Sequence, residues 1–236
     1  MAYDASEKFV RTRMVLGDDG LSALSHAHVA VVGLGGVGSY AAEAIARAGV
    51  GEMTLLDADV VSVSNINRQL CALESTVGKK KVDVVGARIA DINPDASVHK
   101  LDFFYNEETR ESLFFARFDY IIDCIDTVSA KADLICTAKE KGIPIVSALG
   151  TGNKLDPTRL EFSDLYKTSV CPLARAMRQV LKKRGIAAHD VLFSREEPAH
   201  AVVAENGRYA PGSIAWVPGC AGLMLAGFVV RKLTGR

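Results

Sequence analysis

Net charge is the first thing the sequence lacks. The 236-residue chain balances 28 basic against 28 acidic residues, so no overall field draws it to nucleic acid, and any such binding must use local patches. The five cysteines (Cys71, Cys124, Cys136, Cys171 and Cys220) are odd in number and contain no C-x-x-C pair. That argues against a zinc ribbon and for a reducing, cytoplasmic compartment. His26, His28, His99, His189 and His200 are scattered, form no plausible pair and receive no role. Met1–Arg13 is charged and mixed, without the apolar core of a secretory signal. No run reaches the roughly 20 apolar residues of a spanning helix. The nearest, Ile214–Val230, is broken by Pro218, Gly219, Gly222 and Gly227. It reads as a C-terminal helix buried against a sheet or a partner subunit, and membrane association is not expected. No internal repeat or low-complexity tract is present.

What is there is an ample core: 49% hydrophobic residues and a mean hydropathy of +0.15, enough for one large α/β domain with or without a small extension. The chain is organised around Val29–Gln69. Val29–Val32 is an apolar run that reads as a buried strand. Gly33-Leu34-Gly35-Gly36-Val37-Gly38 follows at once, then an Ala-rich helix from Val37 to Gly49, then a second apolar run, Met53–Leu56, ending on Asp57. Strand, glycine turn, helix, strand and acid is the order of a dinucleotide-type phosphate site. Glycines let backbone N–H groups approach phosphate oxygens, and the helix N-terminus adds partial positive charge. Asp57 is placed to accept from a ribose hydroxyl. These features say nucleotide and leave open which one.

The next residues narrow the choice. Arg68 arrives eleven residues past Asp57, where an NAD site has no use for it; a triphosphate has, because departing pyrophosphate gathers charge that a guanidinium neutralises. A second helix is expected from Lys79 to about Ile92, stopped by Asn93-Pro94, with Lys79 and Lys80 solvated. Val98–Leu101 reads as the third strand, Asn106–Phe115 as a short amphipathic helix and Tyr120–Ile125 as the fourth strand. Asp126 lies just past its carboxyl end, where ligands of open α/β sheets collect; capping the next helix, Val128–Lys141, is its competing role. Ile143–Leu149 is the fifth strand. The alternation predicts a Rossmann-like, doubly wound, mainly parallel sheet. Arg159–Leu165 and Val191–Ser194 read as an antiparallel C-terminal extension, with a loop at Tyr166–Pro172, a helix at Leu173–Arg184 and a flexible loop at His200–Tyr209. Leu70–Thr76 reads as a loop over the nucleotide, and one or two short helices fall within Glu7–Leu24.

The segments GLGGVG, DADVVSVSNINRQ, VGKKKVD and DCIDTVSAKADL, in order from Val29 to Leu134, resemble the ubiquitin-activating-enzyme-like ATPases, the ThiF/MoeB/HesA group. The resemblance implies a single ATP-binding domain: an N-terminal helical arm (1–28), a nucleotide-binding core (29–150) and a substrate-side extension with the C-terminal helix (151–236). It implies ATP and Mg²⁺, with a monovalent cation as a further option, and a homodimer in which Arg13 reaches the partner's ATP site. Catalytic roles then fall to Arg13, Arg68, Lys81 and Asp126, with Asp126 holding the metal. Gly33, Gly35, Gly36, Gly38, Asp57, Asp59, Asn65, Arg68, Gln69 and Lys81 would bind the nucleotide, Asp59 ranking below Asp57 as a residue that sets the turn.

Within this group, ALGTGNKLDPT (148–158), YKTS with CPLA (166–174) and a C-terminus without zinc cysteines look like the tRNA threonylcarbamoyladenosine dehydratase branch. That branch implies adenylylation of the threonyl carboxylate in tRNA, then closure by the ureido group with loss of AMP. Cyclisation is intramolecular, so no protein nucleophile is required. Val170 and Pro172 give Cys171 no base, so a thioester role is not expected. Arg175, Arg178 and Lys182, with Lys183 and Arg184, form a basic stripe that either contacts tRNA phosphates or is a solvated face. A sulfur-relay protein is a further candidate partner of the dehydratase reading, and two alternatives stay open: an adenylyltransferase for a ubiquitin-like sulfur-carrier protein, and an NAD-binding oxidoreductase or non-catalytic nucleotide module.

Overall fold

The computed structural model describes residues 7–199 and 211–236. Strand β1 (His28–Val32) is buried at every position, which is why its sequence is a continuous apolar run and not an alternation. It pairs in parallel with β2 (Glu52–Leu56) on one side and β4 (Tyr120–Asp123) on the other. Beyond β2 lies β3 (Ser97–Leu101); beyond β4 come β5 (Ile145–Ala148), β7 (Asp190–Ser194) and β6 (Leu160–Asp164). The order is β3-β2-β1-β4-β5-β7-β6, all parallel except the β6–β7 pair. The chain builds outward from β1 through β2 to β3, then returns to β4 on the other flank of β1. That reversal opens a crevice between the carboxyl ends of β1 and β4.

Helices cover both faces. α1 (Val10–Ser25), α2 (Gly38–Ala48), α3 (Lys81–Ile92) and α7 (Trp216–Thr234) pack on Val29, Val31, Met53 and Leu55. α4 (Arg110–Leu113), α5 (Val128–Glu140) and α6 (Pro172–Lys183) pack on Ala30, Val32 and Ile121. α1 is two helical pieces joined at Gly17, whose φ of 76° breaks the helix. α7 is long and apolar enough to cross a bilayer by length and composition, yet it lies against the sheet. Phe228 stacks on Phe162 at 4.5 Å and meets Tyr120 edge-on. A Cβ on Gly222 would stand 2.3 Å from the Val37 carbonyl oxygen, so only glycine lets α7 sit this close to α2.

Several boundaries differ from the sequence expectations. α4 is one turn and not ten residues, because the Asn106 side chain accepts from the Glu108 and Thr109 N–H groups and holds a turn there instead. α3 begins at Lys81, since a bridge between Val60 and Lys80 keeps the chain extended up to that point. Lys80 is exposed as expected and also forms a surface pair with Asp102. β4 ends at Asp123, two residues early. The 70–76 loop is anchored by buried Cys71 and Ala72, and Thr76 Oγ1 donates to the Cys71 carbonyl. The expected loop at His200–Tyr209 lies outside the described residues.

Candidate functional site

The glycine turn sits at the crevice and is pinned from both flanking strands. Gly33 has φ of 91°, and a Cβ there would lie 2.9 Å from the Cys124 carbonyl oxygen. A Cβ on Gly38 would fall 1.7 Å from the Gly33 oxygen, so the turn cannot form with any larger residue. The Gly33 N–H donates to Leu56 O at 2.8 Å, and the Leu34 N–H to Asp57 Oδ2 at 2.6 Å. Ser39 Oγ donates to Gly35 O and accepts the Leu70 N–H, tying the turn to the Arg68 loop. Among the described residues the N–H groups of Gly35, Gly36 and Val37 have no acceptor. With the first turn of α2 they form an anion cradle.

The cations are delivered by the two segments after β2. Asn65 organises the first: its Oδ1 accepts the Ser62 N–H, and its carbonyl accepts those of Arg68 and Gln69. Its carbonyl oxygen is thus spent on the loop, leaving Nδ2 as the group it could offer a ligand. The Arg68 stem stands beside Gly36 and Gln69 Nε2 beside Gly35, at 3.5 and 3.9 Å from where Cβ atoms would be. Arg68 Nη1 donates to Ser64 O and Asn67 Oδ1, both at 2.9 Å. Lys81, first residue of α3, is buried; its Nζ lies 2.7 Å from Asp59 Oδ2 and 3.8 Å from Asp57 Oδ1. Asp59 therefore does more than set a turn, since it holds the lysine. Asp57 spends one oxygen on the Leu34 N–H and the other on that of Asp59, so it braces the turn, and each oxygen keeps a lone pair. Burial pushes its pKa up, opposed by Lys81 and these two N–H groups.

Asp126 is exposed beyond the end of β4 and makes no hydrogen bond or ion pair among the described residues. It does not cap α5: the N-cap is Thr127, which makes no side-chain bond either. An unspent carboxylate at the mouth of the crevice suits a hard divalent cation. Arg13 stands apart from this group. It is exposed on α1 and pairs with Asp18 at 3.8 Å.

Other residues carry the site from behind, and spacing in the sequence does not single them out. Asp123 and Lys131 are fully buried; Asp123 Oδ2 accepts from Lys131 Nζ at 2.7 Å and from Ser147 Oγ at 2.6 Å. Asp123 Oδ1 accepts the Ile125 N–H at 3.0 Å, fixing the start of the loop that presents Asp126. Ser147 Oγ also lies 2.8 Å from His189 Nε2. Burial pushes His189 down to about 3, so the ring is neutral. The signal available was a Lys five residues after Asp126, in the first turn of the helix that follows β4.

Cys171 is buried and caps α6, its Sγ accepting the Ala174 N–H. The basic stripe divides. Arg178 donates to the Thr168 carbonyl and hydroxyl and braces the preceding loop, and Arg184 faces Asp133 and Glu107 at 3.9 Å. Arg175, Lys182 and Lys183 are exposed, with no ion pair among the described residues.

Comparison with known proteins agrees with this geometry. A model of the ThiF family matches residues 9–236. The chain is 44% identical over 241 residues to a tRNA threonylcarbamoyladenosine dehydratase of Bacillus subtilis, covering 96% of this chain and 94% of the relative. It superposes on the crystal structure of Escherichia coli tRNA N6-threonylcarbamoyladenosine dehydratase in complex with ATP with a TM-score of 0.90, at 34% identity, covering 100% of this chain and 98% of that one. A molybdopterin-synthase adenylyltransferase of Salmonella typhimurium is 39% identical over 129 residues, only 55% of this chain and 51% of its own length.

Proposed function

The chain belongs to the ThiF family, and from that premise we propose that it is an ATP-dependent dehydratase that cyclises threonylcarbamoyladenosine in tRNA. The observation that carries the reading is the union of one phosphate cradle, Gly33–Gly38, with Arg68 and Lys81 on one side and the unspent carboxylate of Asp126 on the other. The full-length likeness to dehydratases favours it over activation of a sulfur-carrier protein, whose enzymes match between about half and two thirds of the chain at lower identity.

The cradle N–H groups hold phosphate oxygens, and Asp57 keeps lone pairs for the ribose. The substrate carboxylate attacks the α-phosphorus, and pyrophosphate departs. Arg68 and Lys81 neutralise the charge passing to it; one such donor contributes about 2–4 kcal/mol to a transition state. Asp126 would hold Mg²⁺, which supplies charge neutralisation across the phosphates. The ureido nitrogen then closes on the activated carbonyl and expels AMP, with net loss of water from the nucleoside.

A homodimer would complete the site. The α1–α2–α7 surface has an apolar groove of about 600 Å³ lined by Val15, Leu16, Leu223 and Val230. Arg13 stands next to Met14 and Val15, which are 78% and 76% exposed. A partner seated there would bring its own Arg13 to this region. Arg175, Lys182 and Lys183 offer phosphate contacts for tRNA. All five cysteines are free thiols, as a reducing cytoplasm allows.

The test is to incubate the protein with ATP, Mg²⁺ and modified tRNA, then weigh the released nucleosides. A nucleoside lighter by one water is expected, and Arg68→Ala and Asp126→Ala should abolish it with the fold intact. Pyrophosphate release with a diglycine-tailed carrier protein, and none with tRNA, would transfer the assignment to the alternative.

A further inference from the structure

At the amino ends of the strands, away from the nucleotide turn, three potential metal ligands converge. The parallel register sets His28 opposite Glu52 and Thr54 opposite His99. In-register partners and residues two apart share a sheet face, so β1, β2 and β3 place all three side chains on the face that carries α4. Glu52 Oε1 lies 2.8 Å from His99 Nε2 and 3.5 Å from His28 Nδ1. One ligand atom from each residue falls within 4.8 Å of the others, near enough for small side-chain rotations to bring all three onto one ion.

The surroundings are those of a built site. His28 is buried, and its Nε2 lies 2.8 Å from Thr54 Oγ1, which is also buried. Ligation at Nδ1 selects the tautomer in which Nε2–H donates to Thr54, the kind of outer contact that orients a metal-bound imidazole. Phe118 packs edge-on to His28 at 4.8 Å and Phe115 to His99 at 5.2 Å, so both rings are held by apolar walls. Glu52 and His99 remain 41% and 36% exposed, leaving an open side for a water ligand. Neither Glu52 nor the nearby Asp119, which accepts the His28 N–H, has a Lys or Arg partner among the described residues.

We propose that His28 Nδ1, Glu52 Oε1 and His99 Nε2 bind one divalent transition-metal cation of the zinc class, with water in the fourth position. The site is distinct from the Asp126 carboxylate. It stands at the opposite end of β1, roughly 16 Å along the strand from Gly33. Its ligands are two imidazoles and one carboxylate, a set that suits zinc and its neighbours and not magnesium. Such an ion would tie three strands together, joining positions that are 71 residues apart in the chain.

The direct test strips the full-length protein with a chelator and titrates it with Co²⁺ alone, reading the visible d–d bands of a four-coordinate ion. One equivalent is expected, with no thiolate charge-transfer band, and Zn²⁺ should displace it. His99→Ala and Glu52→Gln should each weaken binding by about tenfold or more, while Asp126→Ala leaves the bands in place. Both substituted side chains are partly exposed, and circular dichroism checks that the variants are folded. Added Zn²⁺ should raise the melting temperature of the wild type and not of His99→Ala. Absence of the bands in the wild type, or equal binding by His99→Ala, overturns the proposal.

Discussion

Two buried lysines in this molecule look alike and differ in what they can reach. Lys81 opens α3 and pairs with Asp59, just past β2; Lys131 lies in α5 and pairs with Asp123, the last residue of β4. Both N–O distances are 2.7 Å. The difference is access. Asp59 is 52% exposed, so the first pair opens onto the crevice, whereas neither partner of the second is exposed at all. An ammonium at an open mouth can exchange a carboxylate for a phosphate. A sealed one can only hold its loop, and Asp123 holds the loop that carries Asp126. Burial alone therefore does not mark a lysine as catalytic.

The comparison breaks most readily at the sealed pair. Lys131→Met leaves Asp123 charged, buried and unpaired, and should cost about 3–5 kcal/mol of stability in a urea titration. A loss under about 1 kcal/mol would mean that water or a local shift satisfies Asp123. Lys81→Ala should act the other way round, lowering kcat/KM for tRNA by about 30–1,000-fold, equivalent to about 2–4 kcal/mol. Its stability loss should be smaller, because Asp59 can take up water and Asp57 keeps its two N–H donors.

A third prediction probes the sealed network by pH. His189 is held at about 3 in the folded chain against an ordinary 6.5. Between those values the unfolded chain binds a proton that the folded chain refuses, so this contribution is complete above pH 6.5 and is lost as pH falls. The slope is about 1.4 kcal/mol per pH unit for this one group. His189→Asn should flatten the acid side of the stability profile. An unchanged profile would mean that the ring is accessible. The smallest effect is expected at Cys171→Ala, which loses a helix cap worth about 1 kcal/mol and keeps most of the activity. A dead but folded variant would restore a thioester to the mechanism.

Much of this was legible in the sequence because the site is built from local chain. Gly33–Gly38, Asp57, Arg68 and Lys81 all lie within one strand–helix–strand–loop passage, where spacing alone dictates proximity. The parallel sheet was legible for the same reason, through alternating apolar runs and helices. What stayed hidden depends on contacts across the chain. The histidines looked unpaired because His28 and His99 meet only when β1 and β3 flank β2. Lys131 looked like an ordinary helix residue until Ser147 and His189 closed over its partner. Asn106 shortened α4 through side-chain bonds that no periodicity reveals.

The most direct measurement follows one oxygen atom. Modified tRNA labelled with ¹⁸O in the threonyl carboxylate is turned over with unlabelled ATP and Mg²⁺, and the products are weighed. Adenylylation puts a carboxylate oxygen on the α-phosphorus, and cyclisation then releases it with AMP, so AMP should carry one label and pyrophosphate none. Label in inorganic phosphate, with ADP as the nucleotide product, would mean γ-phosphoryl transfer and would contradict the adenylylating role proposed for Arg68, Lys81 and the glycine cradle.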